Sequence, residues 1–165
     1  MNWKEYTEQL KSEIKKSSEK QKLDFAKEIC ERLLPDYYNF VQKTNWGDAN
    51  VISRAWKLIE NFSNEQPTRA EIIREMIIEL EKNTPDTEDF GQISGSLALN
   101  SCAAITETLK FILDKKSERI MDITSFSYDT VYFKVCELNP KLSEMEIENQ
   151  DEIQKEIEWQ LEKLK

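Results

Sequence analysis

The chain has 165 residues, 39% of them hydrophobic and 33% charged, with a formal net charge of −9 and no histidine, a composition typical of one helical domain spanning residues 1–165. Histidine titrates near neutral pH and is the most common metal ligand, so its absence excludes Ser-His-Asp and Cys-His nucleophile systems and histidine-based metal sites. The negative charge disfavours direct binding of nucleic acid or anionic membrane and favours a basic protein as the partner.

Signals for helix N-termini recur along the chain and predict about seven or eight helices. Four pairs place a capping side chain three residues before Glu or Gln, namely Asn2 with Glu5, Ser18 with Gln21, Thr68 with Glu71, and Ser143 with Glu146. Further starts are predicted at Pro35, which fits the first turn of a helix, and at Asp48 and Ser117. Charges begin at Lys4 without an apolar run, so we expect neither a signal peptide nor a membrane span.

Apolar residues at helical spacing accompany these starts. They form four stripes, within residues 3–14, 25–33, 51–62 and 72–80, and each predicts the buried face of an amphipathic helix. Glu71, Glu75 and Glu79 share one helix face, which we interpret as a solvated surface rather than a metal or acid-base site.

An aromatic segment, residues 37–48, surrounds a glycine turn. Its Tyr37 and Trp46 are amphipathic aromatic residues, a type that serves binding surfaces and also closes cores at helix corners. We favour core closure for both and keep a pocket as the alternative. Arg54 is expected to pair with Asp48 or with another nearby acid.

The clearest loop, residues 83–88, leads into three acidic residues that are candidates for contact with a basic partner. Asp86, Glu88 and Asp89 lack the spacing and glycine of a calcium-binding EF-hand loop. Helix capping and solubility are the alternative roles. Gly91 and Gly95 have neither a following lysine nor a preceding strand, so we interpret them as a turn and helix entry rather than a phosphate cradle.

The segment from residue 91 to 106 carries no charged residue, and the helix predicted over 97–113 is apolar around most of its circumference. Such a helix belongs at the centre of the domain. Its polar residues Asn100, Ser101 and Thr106 must find hydrogen bonds, by default from neighbouring helices. A small polar pocket beside Asn100 and Glu107 is the alternative, which would fit a small enzyme or ligand-binding protein.

Residues 124–135 are rich in β-branched and aromatic side chains, which favour a strand. Helical spacing of the apolar residues around them leads us to prefer a helix. In the last helix Trp159 lies opposite the apolar stripe, so it is a candidate anchor for a partner or for a second copy of the chain, with packing inside the domain as the alternative. The acids of this region, which we add to the partner-binding candidates, are Glu144, Glu148, Asp151 and Glu152.

The three cysteines Cys30, Cys102 and Cys136 are far apart and lie in apolar helical contexts. We therefore expect reduced thiols in a cytoplasmic protein rather than a disulfide framework. No cofactor and no metal site is predicted.

Four segments of the chain, residues 30–40, 44–48, 85–109 and 153–161, together resemble the YjaG-like family of small bacterial helical proteins. The similarity covers nearly the whole chain in order, and its motifs are structural. The resemblance implies an all-α, cytosolic, bacterial protein and supplies no activity. It also implies an acidic residue before the Ala-Cys of the central helix, where this chain has Asn100-Ser101-Cys102, so no ligand role of that acid carries over.

These observations predict a single-domain all-α bundle around the 97–113 helix. The function they favour is that of a non-catalytic acidic protein-binding domain, for example an immunity-type inhibitor that occupies the basic cleft of a nuclease-like toxin. A small enzyme or ligand-binding protein with an interhelical polar pocket, and a housekeeping homodimer that uses the Trp159 face, are the alternatives.

Overall fold

The computed structural model describes residues 1–165 and contains eight α-helices and no strand. In chain order they are α1 (Trp3–Lys16), α2 (Glu19–Thr44), α3 (Ala49–Ser63), α4 (Ala70–Lys82), α5 (Ile93–Asp114), α6 (Glu118–Leu138), α7 (Glu144–Glu148) and α8 (Asp151–Lys163). Their buried side chains form one hydrophobic core of 36 residues. The predicted all-α bundle is confirmed.

Helix α5 is the central helix, as the sequence predicts, and it extends beyond 97–113 at both ends. It packs against α2, α3, α4 and α6. The absence of charged residues from its first half explains this position, because burial on several sides then removes no charge from water. No helix, α5 included, is both long enough and apolar enough to cross a membrane.

The helix start predicted at Pro35 is wrong, because α2 continues through this residue to Thr44. Pro35 lacks the N–H that would bond the carbonyl of Glu31, but both residues are exposed, so water can take that bond. Leu34 and Tyr37 on the opposite face are buried. Packing of this face in the core therefore holds α2 together across the proline.

Three of the four predicted capping boxes form, at Asn2, Ser18 and Ser143. The fourth is wrong. Helix α4 begins after Arg69, one residue later than a Thr68 cap requires, and no side chain caps it. Asp48 caps α3 as predicted, because its carboxylate accepts a hydrogen bond from the backbone N–H of Asn50.

Residues 124–135 are helical, as preferred, and lie within α6. The hydroxyls of Thr124 and Ser125 donate to the carbonyl of Met121, and Thr130 donates to Phe126, one turn back along the helix. Ser and Thr side chains can bond to the preceding turn in this way without leaving the helix. Burial of the apolar residues of α6 in the core therefore outweighs the strand propensity of the segment.

Arg54 pairs with Glu79 of α4 at 3.0 Å, and not with Asp48. The ion pair links α3 to α4, and both side chains are about half exposed. Glu71 and Glu75, which share the face of Glu79, are exposed to solvent.

Gly95 lies in the first turn of α5, where a Cβ atom would collide with the carbonyl oxygen of Phe90. We expect Gly95→Ala to lower the free energy of unfolding by about 1–3 kcal/mol, because the backbone must shift to admit the methyl group. Urea denaturation followed by circular dichroism measures the change. Gly91→Ala is the matched control, since the nearest atom to its added Cβ lies 4.0 Å away. Equal stability of the two variants would contradict the steric argument.

Candidate functional site

An open cleft of about 450 Å³ lies between the loop after α4, the middle of α5 and the first half of α6. Three carboxylates line it, from Glu81, Asp86 and Glu107. Leu99 and Phe126 provide apolar wall. The cleft, called the acidic cleft below, thus contains one of the loop acids and the Glu107 that the sequence places beside a possible pocket.

The loop that forms one edge of the acidic cleft is held in a defined turn. The Asp86 carboxylate accepts a hydrogen bond from the backbone N–H of Glu88 at 2.9 Å. The Asp86 carbonyl accepts from the N–H groups of Asp89 and Phe90. Pro85 is buried beneath the turn. The side chains of Asp86, Glu88 and Asp89, called the acidic loop below, are consequently exposed on a fixed backbone.

Glu107 is the neutralised acid of the cleft. Its carboxylate accepts hydrogen bonds from Lys110 at 3.0 Å and from Arg119 at 2.6 Å. Arg119 also holds Asp114, and its hydrogen bonds lower the pKa of that carboxyl to about 2. The role of Glu107 is therefore to tie α5 to the start of α6.

The other acids of this region have no internal cation. No Lys or Arg nitrogen lies within 4.0 Å of the carboxylates of Glu81, Asp86, Glu88 or Asp89. A positively charged side chain that enters the acidic cleft would therefore meet Glu81 and Asp86 unpaired. Its aliphatic stem would lie against Leu99 and Phe126.

The second predicted acidic group, Glu144, Glu148, Asp151 and Glu152, lies on α7 and in the first turn of α8. Burial, together with Glu148, raises the pKa of Tyr128 to about 12, and α7 packs on α6, so Glu148 lies near the Tyr128 face of α6. Phe126 at the acidic cleft is two residues away, or about 200° around the helix. The structure therefore does not join the two acidic groups into one surface.

Trp159 is half-buried and packs inside the chain. Its ring lies 5.9 Å from that of Phe25, and the Arg32 guanidinium covers it at 3.8 Å. The expectation of a free anchor facing away from the domain is not met, because α2 supplies the partner for this face of α8. The alternative of packing within the domain describes the side chain better.

Tyr37, Trp46 and Asn100 are packing residues, as the default interpretation holds. The Tyr37 hydroxyl donates to the carbonyl of Asn83 at 2.8 Å and accepts from the N–H of Asp48 at 3.3 Å, and burial raises its pKa to about 12. The Trp46 ring packs edge-on against Phe40 and at a tilt against Phe90. Asn100 is buried and donates across to Thr130 of α6 at 3.1 Å. None of the three lines the acidic cleft.

The cysteines are free, with Cys30 and Cys102 buried. Burial raises the pKa of both thiols to about 12. Because the thiolate is the nucleophilic form, neither has the environment of a reactive cysteine.

A buried polar network that sequence reasoning missed joins four helices. The Glu156 carboxylate accepts hydrogen bonds from Ser127, Gln160 and Arg32 at 2.6, 2.8 and 2.7 Å. Gln160 in turn accepts from the Tyr6 hydroxyl at 2.6 Å. Both carboxylate oxygens are thus occupied by the protein's own donors, so the network holds α1, α2, α6 and α8 together and offers no open position for a ligand.

A signal for this network is present in the sequence. At 100° per residue, Glu156 and Gln160 fall on the same side of α8 as Ile153, Ile157 and Leu164. Polar residues within an apolar stripe must be hydrogen-bonded in the core. The position of Glu156 around the helix axis is therefore a sequence signal that distinguishes this buried acid from the exposed acids next to it in the chain.

Comparison with known proteins identifies a family of unknown function and several uncharacterized proteins that are similar to this chain. A family model described as "Protein of unknown function (DUF416)" matches residues 9–165. The chain is 23% identical over 145 residues to the uncharacterized protein YjaG of Escherichia coli K12, covering 86% of this chain and 74% of that protein. It is 27% identical over 159 residues to an uncharacterized Haemophilus influenzae protein, covering 87% and 76%. The YjaG resemblance stated from the sequence is thereby confirmed.

A solved structure shares the fold. The crystal structure of a DUF416 family protein from Shewanella baltica OS155 superposes with a TM-score of 0.79 at 26% identity. The match covers 93% of this chain and 80% of that one.

Proposed function

The chain belongs to the DUF416 family of proteins of unknown function, and on that premise we propose from the geometry that it is a non-catalytic domain that binds a basic segment of another protein. The acidic cleft would receive a lysine or arginine side chain of the partner, and the acidic loop would contact the basic residues around it. The observation that carries the proposal is that two carboxylates, of Glu81 and Asp86, line an open cleft with apolar walls and have no Lys or Arg partner within the protein.

The geometry of the cleft suits an extended cationic side chain. Its polar residues include the hydroxyl-bearing Thr84, Thr87 and Thr106, which can accept hydrogen bonds from an ammonium or guanidinium group. Leu99 and Phe126 can cover the aliphatic part. The cleft can therefore hydrogen-bond the charged end of a lysine or arginine side chain and pack against its aliphatic part.

The charge of the whole chain supports association with a basic partner. A net charge of −9 attracts a positively charged protein over distances of about a Debye length, near 8–10 Å at physiological salt, and so raises the association rate. A basic toxin of the nuclease type, inhibited by occupation of its substrate cleft, is the partner class that we propose. The bacterial cytoplasm, where the free thiols would stay reduced, is the proposed compartment.

We assign the partner contact to the acidic loop rather than to α7 and α8, because two of the four predicted acids there, Asp151 and Glu152, have a local role. Asp151 and Glu152 lie in the first turn of α8, which no side chain caps, and acids at this place stabilise a helix through its dipole.

Each alternative loses one residue on which it depended. An enzyme that uses Cys102 would need a thiolate, and burial raises the pKa of that thiol to about 12. A homodimer through Trp159 would need an exposed ring, and Arg32 covers it.

The test compares two variants that remove the same number of charges. We expect tagged wild-type protein to retain a basic protein from bacterial lysate at low salt and to release it at high salt. The combined variant Asp86→Asn, Glu88→Gln and Asp89→Asn should no longer retain this protein. Asp86→Asn keeps a side-chain oxygen that can accept the hydrogen bond from the backbone N–H of residue 88. Mass spectrometry of the eluates identifies the partner.

The matched control combines Glu71→Gln, Glu75→Gln and Glu158→Gln, three exposed acids without an internal cation. It should retain the partner. Retention of the same protein by the acidic-loop variant, or its equal loss from the control, would overturn the assignment to the acidic loop.

A further inference from the structure

A groove of about 350 Å³ with a basic lining lies at the N-terminal end of α6, between α1, α2 and the first turn of α6. Lys11 and Lys15 of α1 and Lys22 of α2 line it, together with Ser117 and Glu118. Ile14 and Met121 add apolar surface. In a chain of net charge −9, three lysines around one groove form a local field of the opposite sign.

None of these three lysines is neutralised within the protein. No carboxylate oxygen lies within 4.0 Å of the ammonium groups of Lys11, Lys15 or Lys22. Glu118 lines the same groove but forms no ion pair with them. The groove therefore retains uncompensated positive charge.

Lys22 carries the strongest part of the argument because it is 9% exposed. Its ammonium group has one hydrogen bond, to the Ser117 hydroxyl at 3.0 Å, so two of its three N–H donors have no acceptor in the protein. The stem of Lys22 is buried while its ammonium group is part-buried at the groove, so its position is fixed and the charge faces a possible ligand. An anion in the groove would supply the missing partner.

Backbone donors lie at the same place. The N–H groups of Ser117 and Glu118 donate to no acceptor within the protein, and the Ser117 side chain does not cap α6. Helix α6 is 21 residues long, so its N-terminus adds the positive end of a helix dipole. Free amides with a dipole at a helix N-terminus are suited to phosphate oxygens.

We propose that this groove binds the phosphate group of a small phosphorylated molecule. The ammonium groups of Lys11, Lys15 and Lys22 and the amides at the start of α6 would hold the phosphate oxygens, and Ile14 and Met121 would contact an apolar part of the ligand. The volume lies at the lower end of the range for small-molecule sites. This site is separate from the acidic cleft, and it does not depend on the function proposed above.

The test titrates the ¹⁵N-labelled full chain with inorganic phosphate and, in a second series, with phenyl phosphate, against sodium chloride at equal ionic strength. We expect saturable shifts of the Ser117 and Glu118 amide resonances with both phosphates and none with chloride. Tighter binding of phenyl phosphate would show that the apolar wall contributes, and equal binding would show recognition of the phosphate group alone. Either result supports the site.

Variants separate the groove from general charge effects. Lys22→Met, which keeps an unbranched side chain of nearly the same length, should weaken phosphate binding roughly tenfold or more, the scale of losing a charge-assisted hydrogen bond. The combined variant Lys11→Met and Lys15→Met changes only exposed residues, so it tests the site even if Lys22→Met folds poorly. Glu118→Gln should tighten binding, because it removes the one like charge that opposes the ligand.

Lys141→Met, an exposed lysine outside the groove, is the control and should bind phosphate as the wild type does. The proposal is overturned if neither phosphate shifts the Ser117 and Glu118 resonances, if chloride shifts them equally, or if the Lys11 and Lys15 variant binds phosphate unchanged.

Discussion

Replacing Glu156 with alanine lowers the free energy of unfolding by about 3–5 kcal/mol, a loss large enough to leave a typical domain marginally folded. The change leaves the Ser127 hydroxyl without its acceptor in the core. It also removes one of the two acceptors of the Gln160 side-chain amide, which keeps its hydrogen bond to the Thr124 carbonyl. Each buried donor that loses its partner costs about 1–3 kcal/mol, and the empty volume adds to the loss. The Arg32 side chain is 42% exposed, so water can solvate its freed charge. The measurement is urea denaturation followed by circular dichroism.

Glu158→Ala is the matched control for this prediction. Glu158 lies on the same helix, is exposed and has no cation within 4.0 Å, so its replacement should change stability by less than about 0.5 kcal/mol. A double-mutant cycle of Glu156→Ala with Ser127→Ala should show coupling, because each variant removes the other's partner. A loss below about 1 kcal/mol for Glu156→Ala would mean that the network contributes little to stability.

The fold was predictable where local rules and burial agree. Asn2, Ser18 and Ser143 cap their helices as predicted because the capping box depends only on residues within one turn. The central position of α5 followed from the absence of charged residues in its first half, a property that does not depend on which helices pack around it. The prediction of a helix start at Pro35 failed because the preference of proline for the first turn of a helix competes with burial of Leu34 and Tyr37. The exposed face of α2 tolerates the missing hydrogen bond.

The candidate site was predictable only in part, because it depends on which distant residues meet. The acidity of the Asp86 loop is visible in the sequence, but the proximity of Asp86 to Glu107 and Phe126 follows from the way α5 and α6 pack. The separation of the acidic loop from the α7–α8 acids follows from the same packing. Lys22 could not be recognised as a site residue from the sequence, since nothing local indicates that its ammonium group lies beside Ser117 at the start of α6.

The second large effect is expected at Phe40, which connects the core to the acidic loop. Phe40 is fully buried, and its ring lies 5.0 Å from that of Phe90 and 6.0 Å from that of Trp46. We expect Phe40→Ala to lower the free energy of unfolding by about 3–5 kcal/mol, because it removes a large buried ring and leaves a cavity. Phe133→Ala is the control, since Phe133 is 37% exposed and should cost much less.

Phe40→Ala should also loosen the acidic loop, because Phe90 follows Asp89 directly and packs on the lost ring. Hydrogen exchange measured by mass spectrometry should show faster exchange of the Asp89 and Phe90 amides, which bond to the Asp86 carbonyl. Phe40→Leu, which fills more of the space, should give smaller changes in both quantities. If stability falls while exchange in the loop stays unchanged, the turn around Asp86 is held by its own hydrogen bonds, and the aromatic cluster contributes to the core without positioning the acidic loop.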